Sequence, residues 1–339
     1  MAKSSFSRSS KAALMVLSFV ASLEMAGTAI AAKPAGLPGN YPTRPVRVIV
    51  GSAAGGGADA LARLVTGKLS ESWGNQFIVE NIATGVGGIL ALQTTHKAAP
   101  DGYTLQNTSG STFQNATFSA KLDFDVRKVF VPIAQLTISP SYMAFNPNAP
   151  FKTMKDMIAY AKANPGKVNF GSSGIGSGAH LAGELLGDMA DIKLTHIPYK
   201  GAGQSTIDAI GGRIEIVFGS PGAITPHVKT GKLRGIGVTA ARRMPAQPDV
   251  PTFDELGIKG YEYVSWIGWV GPTGVPDPIV RALNAEVNKI LLAPEIARVL
   301  VEDGASANPV TPEQFRKNIA DALNLVEGII KKTGISLRD

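Results

Sequence analysis

Two short glycine-rich segments, one in each half of the chain, most constrain how this sequence can fold. In residues 46–65, VRVIVGSAAGGGADALARLV, an apolar run breaks into small residues and three glycines before apolar residues resume at helical spacing. Residues 167–187, KVNFGSSGIGSGAHLAGELLG, repeat this order of strand, glycine loop and helix. Such a loop presents unpaired N–H groups and the positive end of a helix dipole, so it suits an anion such as a carboxylate.

Runs of β type alternate with runs of helical period through most of the chain. VRVIV, QFIVEN and YTLQNTSG are typical of strands, whereas TMKDMIAYAKAN is typical of an amphipathic helix that stops at Pro165. The last third predicts a strand, a Pro/Gly turn and amphipathic helices. The alternation predicts an α/β fold with parallel strands in two layers, not a sandwich or a helix bundle.

The first residues have the pattern of an export signal. Lys3, Arg8 and Lys11 form a basic region, the apolar run AALMVLSFVASL follows, and Ala29-x-Ala31 supplies the small residues of a cleavage site. We therefore expect a signal peptide over residues 1–31, cleavage near Ala31 and a periplasmic protein. No later run approaches the length of a membrane span.

Composition excludes several classes of function. The chain has no cysteine, which rules out disulfides and thiolate nucleophiles. Its net charge of +7 is scattered rather than concentrated in a basic patch, so no nucleic-acid partner is expected. The four histidines do not show ligand spacing, so neither a metal nor another cofactor is expected.

A dinucleotide site is an alternative interpretation of the first loop. Gly55-x-Gly57-x-x-Ala60 resembles the fingerprint, and Glu80 stands where an acid would bind the ribose. The second loop repeats the glycine spacing without such an acid, and no Gly-Lys-Ser/Thr follows either loop for a P-loop. The glycines therefore favour a carboxylate over a nucleotide.

A serine hydrolase is a further alternative. Ser177 and His180 could be a nucleophile and its base, but they stand three apart on one local turn. Catalytic triads draw their members from separate elements, and no Gly-x-Ser-x-Gly elbow occurs in the chain. We do not expect an enzyme.

Several longer motifs carry a resemblance to a known family. They are YPTRPVRVIV followed by GGGADALAR, VEN followed by GVGGI, APDGYTL, FGSSGIGSGAHLAGELL, HIPYKGAGQSTIDAIGGRIEIVF, GKLRGIGVT and PDVPTFDELGIKGYE. From about Tyr41 to Ile335 the chain resembles the substrate-binding proteins of tripartite tricarboxylate transporters, the Bug (Bordetella uptake gene) or TctC family.

The resemblance implies a two-lobed periplasmic binding protein fold of type II, a Venus flytrap with a helix-flanked β-sheet in each lobe. Lobe 1 is expected to comprise residues 32–142 plus 264–339, and lobe 2 residues 143–263, with hinge crossings near residues 142–146 and 262–266. It further implies a monomer that captures a small carboxylate and delivers it to the large and small membrane permease subunits, without catalysis.

The resemblance also assigns residues to the site. Asp59, Gly85 and His180 would support it, and His180 is expected to brace its loop rather than touch the ligand. Lys200 would either steer an anion or simply be solvated. Ligand contacts, through backbone groups and hydroxyls, are expected from Ser52, Ala54, Gly55, Gly56, Ala58, Ser109, Ser111, Thr112, Ser173, Gly174, Gly176, Ser177, Tyr199, Lys200, Gly201 and Ser220.

Departures from the family pattern bear on ligand size. Gly51-Ser52-Ala53 replaces the usual Pro-Phe-Pro, Ile82-Ala83 replaces Arg-Pro, and Gly219-Ser220 replaces a common Asp. Losing a large side chain and an acid predicts a roomier, less negative pocket, and hence a ligand bulkier than malate, such as the aromatic dicarboxylate terephthalate. A periplasmic sensor that acts through a receptor remains an alternative to transport.

Overall fold

The computed structural model describes residues 37–83, 88–119, 122–244, 247–302 and 304–337. The predicted signal peptide and Gly85 therefore lie outside the described residues. Within the described ranges, no helix is both long and apolar enough to cross a membrane.

Two β-sheets organise the chain. The first has the strand order β11-β4-β10-β3-β1-β2, and the second has the order β7-β6-β8-β5-β9. β1 runs parallel to β2 and β3, and β6 runs parallel to β7 and β8, whereas β10 and β5 run antiparallel to their neighbours. The strands are β1 Val46–Val50, β2 Phe77–Asn81, β3 Thr104–Ser109, β4 Phe130–Pro140, β5 Tyr142–Phe145, β6 Val168–Ser172, β7 Leu194–Pro198, β8 Ile216–Gly219, β9 Arg234–Val238, β10 Val264–Pro272 and β11 Ser306–Ala307.

Helices cover the sheets because each has one apolar face. Val48, Leu69 and Leu283 belong to the core on one face of the first sheet, whereas Phe170 and Leu181 belong to the core of the second sheet. This α/β architecture with two helix-flanked sheets confirms the predicted fold class. The helices are α1 Gly57–Trp73, α2 Ile89–His96, α3 Gly110–Phe118, α4 Val126–Val129, α5 Met154–Ala163, α6 Gly178–Ala190, α7 Ala202–Ile210, α8 Pro221–Lys229, α9 Asp277–Leu291, α10 Pro294–Glu302 and α11 Pro312–Thr333.

The C-terminal helix α11 joins the two halves. Its first turns place Phe315 in a core beside the first sheet, and its last turns place Val326 and Ile329 in the core of the second sheet. Near its end, Lys332 forms an ion pair of 2.9 Å with Asp188 of α6. The helix therefore ties the sheets together in addition to the chain crossings.

The chain crosses between the sheets at two neighbouring places. It leaves the first sheet after Pro140 and enters the second at Tyr142, and it returns between Tyr263 and Val264. Thr239, which is fully buried, touches both crossings: its Oγ1 accepts from Ser141 N–H at 2.8 Å and donates to Tyr263 O at 2.6 Å. Its backbone bonds to the same two residues, so one threonine fastens both crossings.

Replacing this hydroxyl is expected to destabilise the fold. Thr239→Val keeps the side-chain shape but leaves a buried N–H and C=O without their partner, which is expected to cost about 2 kcal/mol or more. Chemical denaturation measures the free energy of unfolding. The matched control is Thr94→Val, whose exposed hydroxyl donates only to Leu90 O within α2 and should matter by less than about 0.5 kcal/mol. Equal stability of both variants would contradict the role given to Thr239.

Candidate functional site

The predicted site segments follow the carboxyl ends of parallel strands in both sheets. In the first sheet, residues 52–58 follow β1 and residues 109–112 end β3 and begin α3. In the second sheet, residues 173–177 follow β6, residues 199–201 follow β7 and Ser220 follows β8. Because the carboxyl ends of parallel strands meet at one edge, each sheet gathers its segments at a single edge, where α/β proteins bind ligands.

The first glycine loop is held by the carboxylate of Asp59. Its Oδ2 accepts from Gly55 N–H at 2.8 Å and from Arg63 Nε at 3.0 Å, and its Oδ1 accepts from Asn81 Nδ2 at 2.9 Å. The i,i+4 ion pair expected of Asp59 and Arg63 is therefore present. The hydrogen bond from Arg63, followed by those from Gly55 and Asn81, lowers the pKa of Asp59 to about 2, so the carboxylate stays charged.

The amides left for a ligand lie at the first turn of α1. The N–H of Gly55 is used by Asp59 and that of Gly56 by Ala53 O at 3.4 Å, whereas those of Gly57 and Ala58 have no acceptor among the described residues. Residues 53–57, which include Ala54, are exposed. The amides of Gly55 and Gly56 thus shape the loop, and those of Gly57 and Ala58 are left for a ligand.

The starts of α2 and α3 pack close to this loop. A Cβ added to Gly88, at the start of α2, would lie 3.4 Å from Gly51 O and 3.3 Å from Thr112 Cγ2 of α3. Ser109 caps α3, since its Oγ accepts from Thr112 N–H and lies 3.1 Å from Thr112 Oγ1. Ser111 is half-buried in the same turn. The Oγ of Ser52 is buried and has no partner among the residues that the structure describes, so this hydroxyl suits a ligand or water.

The second loop is closed by bonds from its own side chains. Gly174 N–H donates to Ser172 Oγ at 3.1 Å, and Gly176 N–H donates to His180 Nδ1 at 3.1 Å. Ser177 caps α6 by accepting from His180 N–H. Gly178 N–H and the amide after it therefore remain free at the start of α6 within the described chain.

His180 also stacks on His196 of β7, a contact that sequence reasoning missed. The ring centroids lie 3.8 Å apart at an interplanar angle of 15°. His196 Nε2 shares a hydrogen bond of 2.6 Å with Ser172 Oγ. Burial, followed by the neighbouring His180, lowers the pKa of His196 to about 3, so this imidazole is neutral at pH 7.

The remaining four predicted contact residues follow β7 and β8. Tyr199 OH donates to Asp208 Oδ2 at 3.0 Å, and burial, aided by that bond, raises its pKa to about 12. Tyr199 N–H donates to Ser172 O, which places the backbone of Tyr199 beside the second loop although its hydroxyl is engaged elsewhere. Lys200 is exposed and forms no ion pair in the described ranges. Gly201 and Ser220 are the N-caps of α7 and α8, and neither helix has a side-chain cap.

Asn115 of α3 lies beside Gly176 of the second loop, a contact that sequence reasoning missed. A Cβ added to Gly176 would lie 2.9 Å from Asn115 Oδ1. Thr112, one turn earlier on α3, contacts the first loop region through Gly88. The polar face of α3 therefore lies between the two glycine loops, and the signal in the sequence is the i,i+3 spacing of these two polar residues.

Two glycines at the departures from the family pattern, Gly51 and Gly219, are closely surrounded. A Cβ on Gly51 would meet Gly88 Cα at 3.0 Å and Ala91 Cβ at 3.3 Å. A Cβ on Gly219 would meet Ile224 at 3.1 Å. Neighbouring residues fill both places, so these glycines allow close packing of α2 and α8. The roomier pocket expected from Ser52, where the family usually has Phe, stays a prediction.

Cavity size does not mark this site. A cavity of about 760 Å³ lies between α5, α6 and α11, away from both loops, and its lining mixes lysines and acids. It lacks the free helix N-termini that converge on the carboxyl edges of the sheets. The loops are therefore the better candidate for binding an anion.

The arrangement favours binding over catalysis. Ser172 and His196 form a serine–histidine contact, but Ser172 is fully buried, so its hydroxyl cannot reach a substrate. The Ser177 hydroxyl is used as a helix cap. No group of three His, Asp or Glu suited to a metal occurs among the residues described. What remains is a set of backbone donors and hydroxyls in a place where helix dipoles favour negative charge.

The neutral His196 is expected to make stability depend on pH. Its folded pKa of about 3 lies below the unfolded value of 6.5, so the unfolded chain binds more protons between these values. Stability should therefore fall as the pH drops below about 6.5. His196→Gln removes the group, so its denaturation midpoint should fall less between pH 7.5 and pH 5 than that of wild type. An identical fall in both proteins would contradict the assignment.

Comparison with known proteins identifies the family. Residues 61–335 match the family described as "Tripartite tricarboxylate transporter family receptor". The Protein BugT of Bordetella pertussis is 31% identical over 300 residues, which is 88% of this chain and 92% of BugT.

Two solved structures from Rhodopseudomonas palustris share the fold. Rpa4515, solved with adipate, is 30% identical with a TM-score of 0.73, covering 87% of this chain and 99% of that one. MatC, solved with bound malate, is 28% identical with a TM-score of 0.69, covering 86% of this chain and 100% of that one. The family comprises solute-binding proteins rather than enzymes, which agrees with a site of backbone donors and capped serines. The chain belongs to the tripartite tricarboxylate transporter receptor family, of the Bug type.

Proposed function

We propose that this protein is a periplasmic solute-binding protein that captures a small dicarboxylate between two lobes and delivers it to a tripartite tricarboxylate transporter permease. The lobes are residues 32–142 plus 264–339 and residues 143–263. Export follows from the predicted signal peptide. Membership in a family of transporter receptors supports delivery to the large and small permease subunits. The proposal takes the protein to act as a monomer.

One observation carries the proposal. Each sheet ends in a glycine loop whose helix has free amides in its first turn, at Gly57 in one case and Gly178 in the other. Asn115 of α3 reaches from the first half to Gly176 of the second. Free amides in both halves, near the contact of Asn115 with Gly176, suit a carboxylate bound from both lobes. Helix N-termini bind anions without a cationic side chain.

We further propose that the ligand carries two carboxylates on an apolar body, with terephthalate as the specific candidate. Rpa4515 was solved with adipate, whose six-carbon chain separates its carboxylates about as widely as the para positions of a benzene ring do. The second loop carries Ile175, an exposed apolar side chain between its two glycines. Gly219 and Ser220 stand where the family commonly has an acid, which lowers the negative charge near an anionic ligand.

A ligand panel tests this proposal. The purified mature protein should show saturable binding of adipate and terephthalate by calorimetry and a raised unfolding temperature in their presence. Malate is the smaller comparison, and benzoate tests the need for a second carboxylate. Binding of malate with no response to terephthalate would refute the specific ligand. No binding of any dicarboxylate would refute the function.

Gly176→Ala is expected to weaken ligand affinity by about tenfold, because a Cβ there displaces Asn115 and strains a residue at φ +70°. The matched control is Gly231→Ala, which has the same φ of +70° but open space around the added Cβ, and which lies outside the site. Calorimetry with adipate compares the two variants. If both lose affinity equally, backbone strain rather than the contact with Asn115 is responsible.

A further inference from the structure

We propose that His180 and His196 form a clamp that positions the second glycine loop, residues 172–177, for ligand binding. This inference rests on the proposed function, and it adds His196 as a positioning residue of that site. The two imidazoles come from different elements, α6 and β7, yet each is hydrogen-bonded to one end of the same loop.

His180 holds the far end of the loop. A backbone N–H can only donate, so the bond from Gly176 N–H at 3.1 Å requires a lone pair on His180 Nδ1. The ring is then neutral with its proton on Nε2, which faces Glu184 Oε1 at 3.5 Å. The side chain of His180 is only 5% exposed, so protein surrounds the ring and both of its nitrogens.

His196 holds the near end of the loop. Its Nε2 lies 2.6 Å from Ser172 Oγ, and the same hydroxyl accepts from Gly174 N–H at 3.1 Å. His196 also lies against Phe170, with ring centroids 4.9 Å apart, so the ring has little freedom to turn. Through Ser172, His196 therefore fixes the amide of Gly174.

The stacking contact couples the positions of the two imidazole rings, and hence the hydrogen bonds that they make to the loop. With centroids 3.8 Å apart and nearly parallel planes, neither ring can tilt without moving the other. Their bonds consume the amides of Gly174 and Gly176, both of which have positive φ. With the loop fixed in this form, the free amides at the start of α6 face outward before the ligand arrives. Such preorganisation raises affinity because less ordering remains to be done on binding.

Substitutions can separate the hydrogen bonds from the packing. His180→Phe and His196→Phe keep an aromatic ring in the stack. His180→Phe removes Nδ1, the acceptor of Gly176 N–H, and His196→Phe removes Nε2, the partner of Ser172 Oγ. In His180→Asn, Oδ1 stands near the position of Nδ1, and in His196→Gln, the amide nitrogen stands near the position of Nε2, so both variants keep a partner for the loop.

Calorimetry with adipate, and with terephthalate as a second probe, measures the effect of each variant on the whole mature protein. Each Phe variant should bind at least about tenfold more weakly, since a buried loop amide or hydroxyl loses its partner. The Asn and Gln variants should bind within about threefold of wild type. Unfolding midpoints of the ligand-free variants identify any that fail to fold.

A second measurement needs no variant and no ligand. Imidazole ¹⁵N shifts of the wild-type protein at pH 7 should show His180 as the neutral tautomer protonated at Nε2, and His196 as neutral. Phe variants that bind like wild type, Asn and Gln variants that bind as weakly as the Phe variants, or a His180 protonated at Nδ1 would each overturn the clamp. A wild-type protein that binds none of the dicarboxylates, malate included, would refute the proposed function instead, and the tautomers would still test the clamp.

Discussion

The placement of the two glycine loops relative to each other depends on the hydrogen bonds of one buried threonine. Thr239 fastens the outgoing crossing at Ser141 to the returning crossing at Tyr263, so both strands turn at the same point. Helix α11 adds a second tie by packing on both halves. These connections lie outside the loops and set how the two sheets, with the loops at their edges, are placed relative to each other.

Within each half, side chains satisfy the glycines, and the amides that follow stay free. Asp59 accepts from Gly55 in the first loop, and His180 accepts from Gly176 in the second. A tight turn with positive φ leaves backbone N–H groups without partners inside the turn. Each such donor that is buried without an acceptor costs about 1–3 kcal/mol. A carboxylate accepts from the glycine amide in one loop and an imidazole does so in the other. Amides in the first turn of the following helix have no acceptor among the described residues.

Sequence reasoning predicts this architecture well because strand, loop and helix are encoded within short windows. Hydrophobic period and glycine placement indicated β1 with α1 and β6 with α6, and the i,i+4 pair of Asp59 and Arg63 was also predictable. The contact of Ser172 with His196 could not be predicted, since its partners lie 24 residues apart on different strands. The contact of Asn115 with Gly176 joins the two halves of the chain and leaves no local pattern.

Gly51 shows that the absence of a side chain does not by itself leave space. The start of α2 packs against this residue, with Gly88 Cα 3.0 Å and Ala91 Cβ 3.3 Å from the position of an added Cβ. Cores are packed so closely that neighbours commonly fill such gaps. The side chains that are present beside the loops are therefore a better guide to the pocket than the absent ones. They include Ser52, whose buried hydroxyl has no partner among the described residues, Ile175 in the second loop and Asn115 beside Gly176.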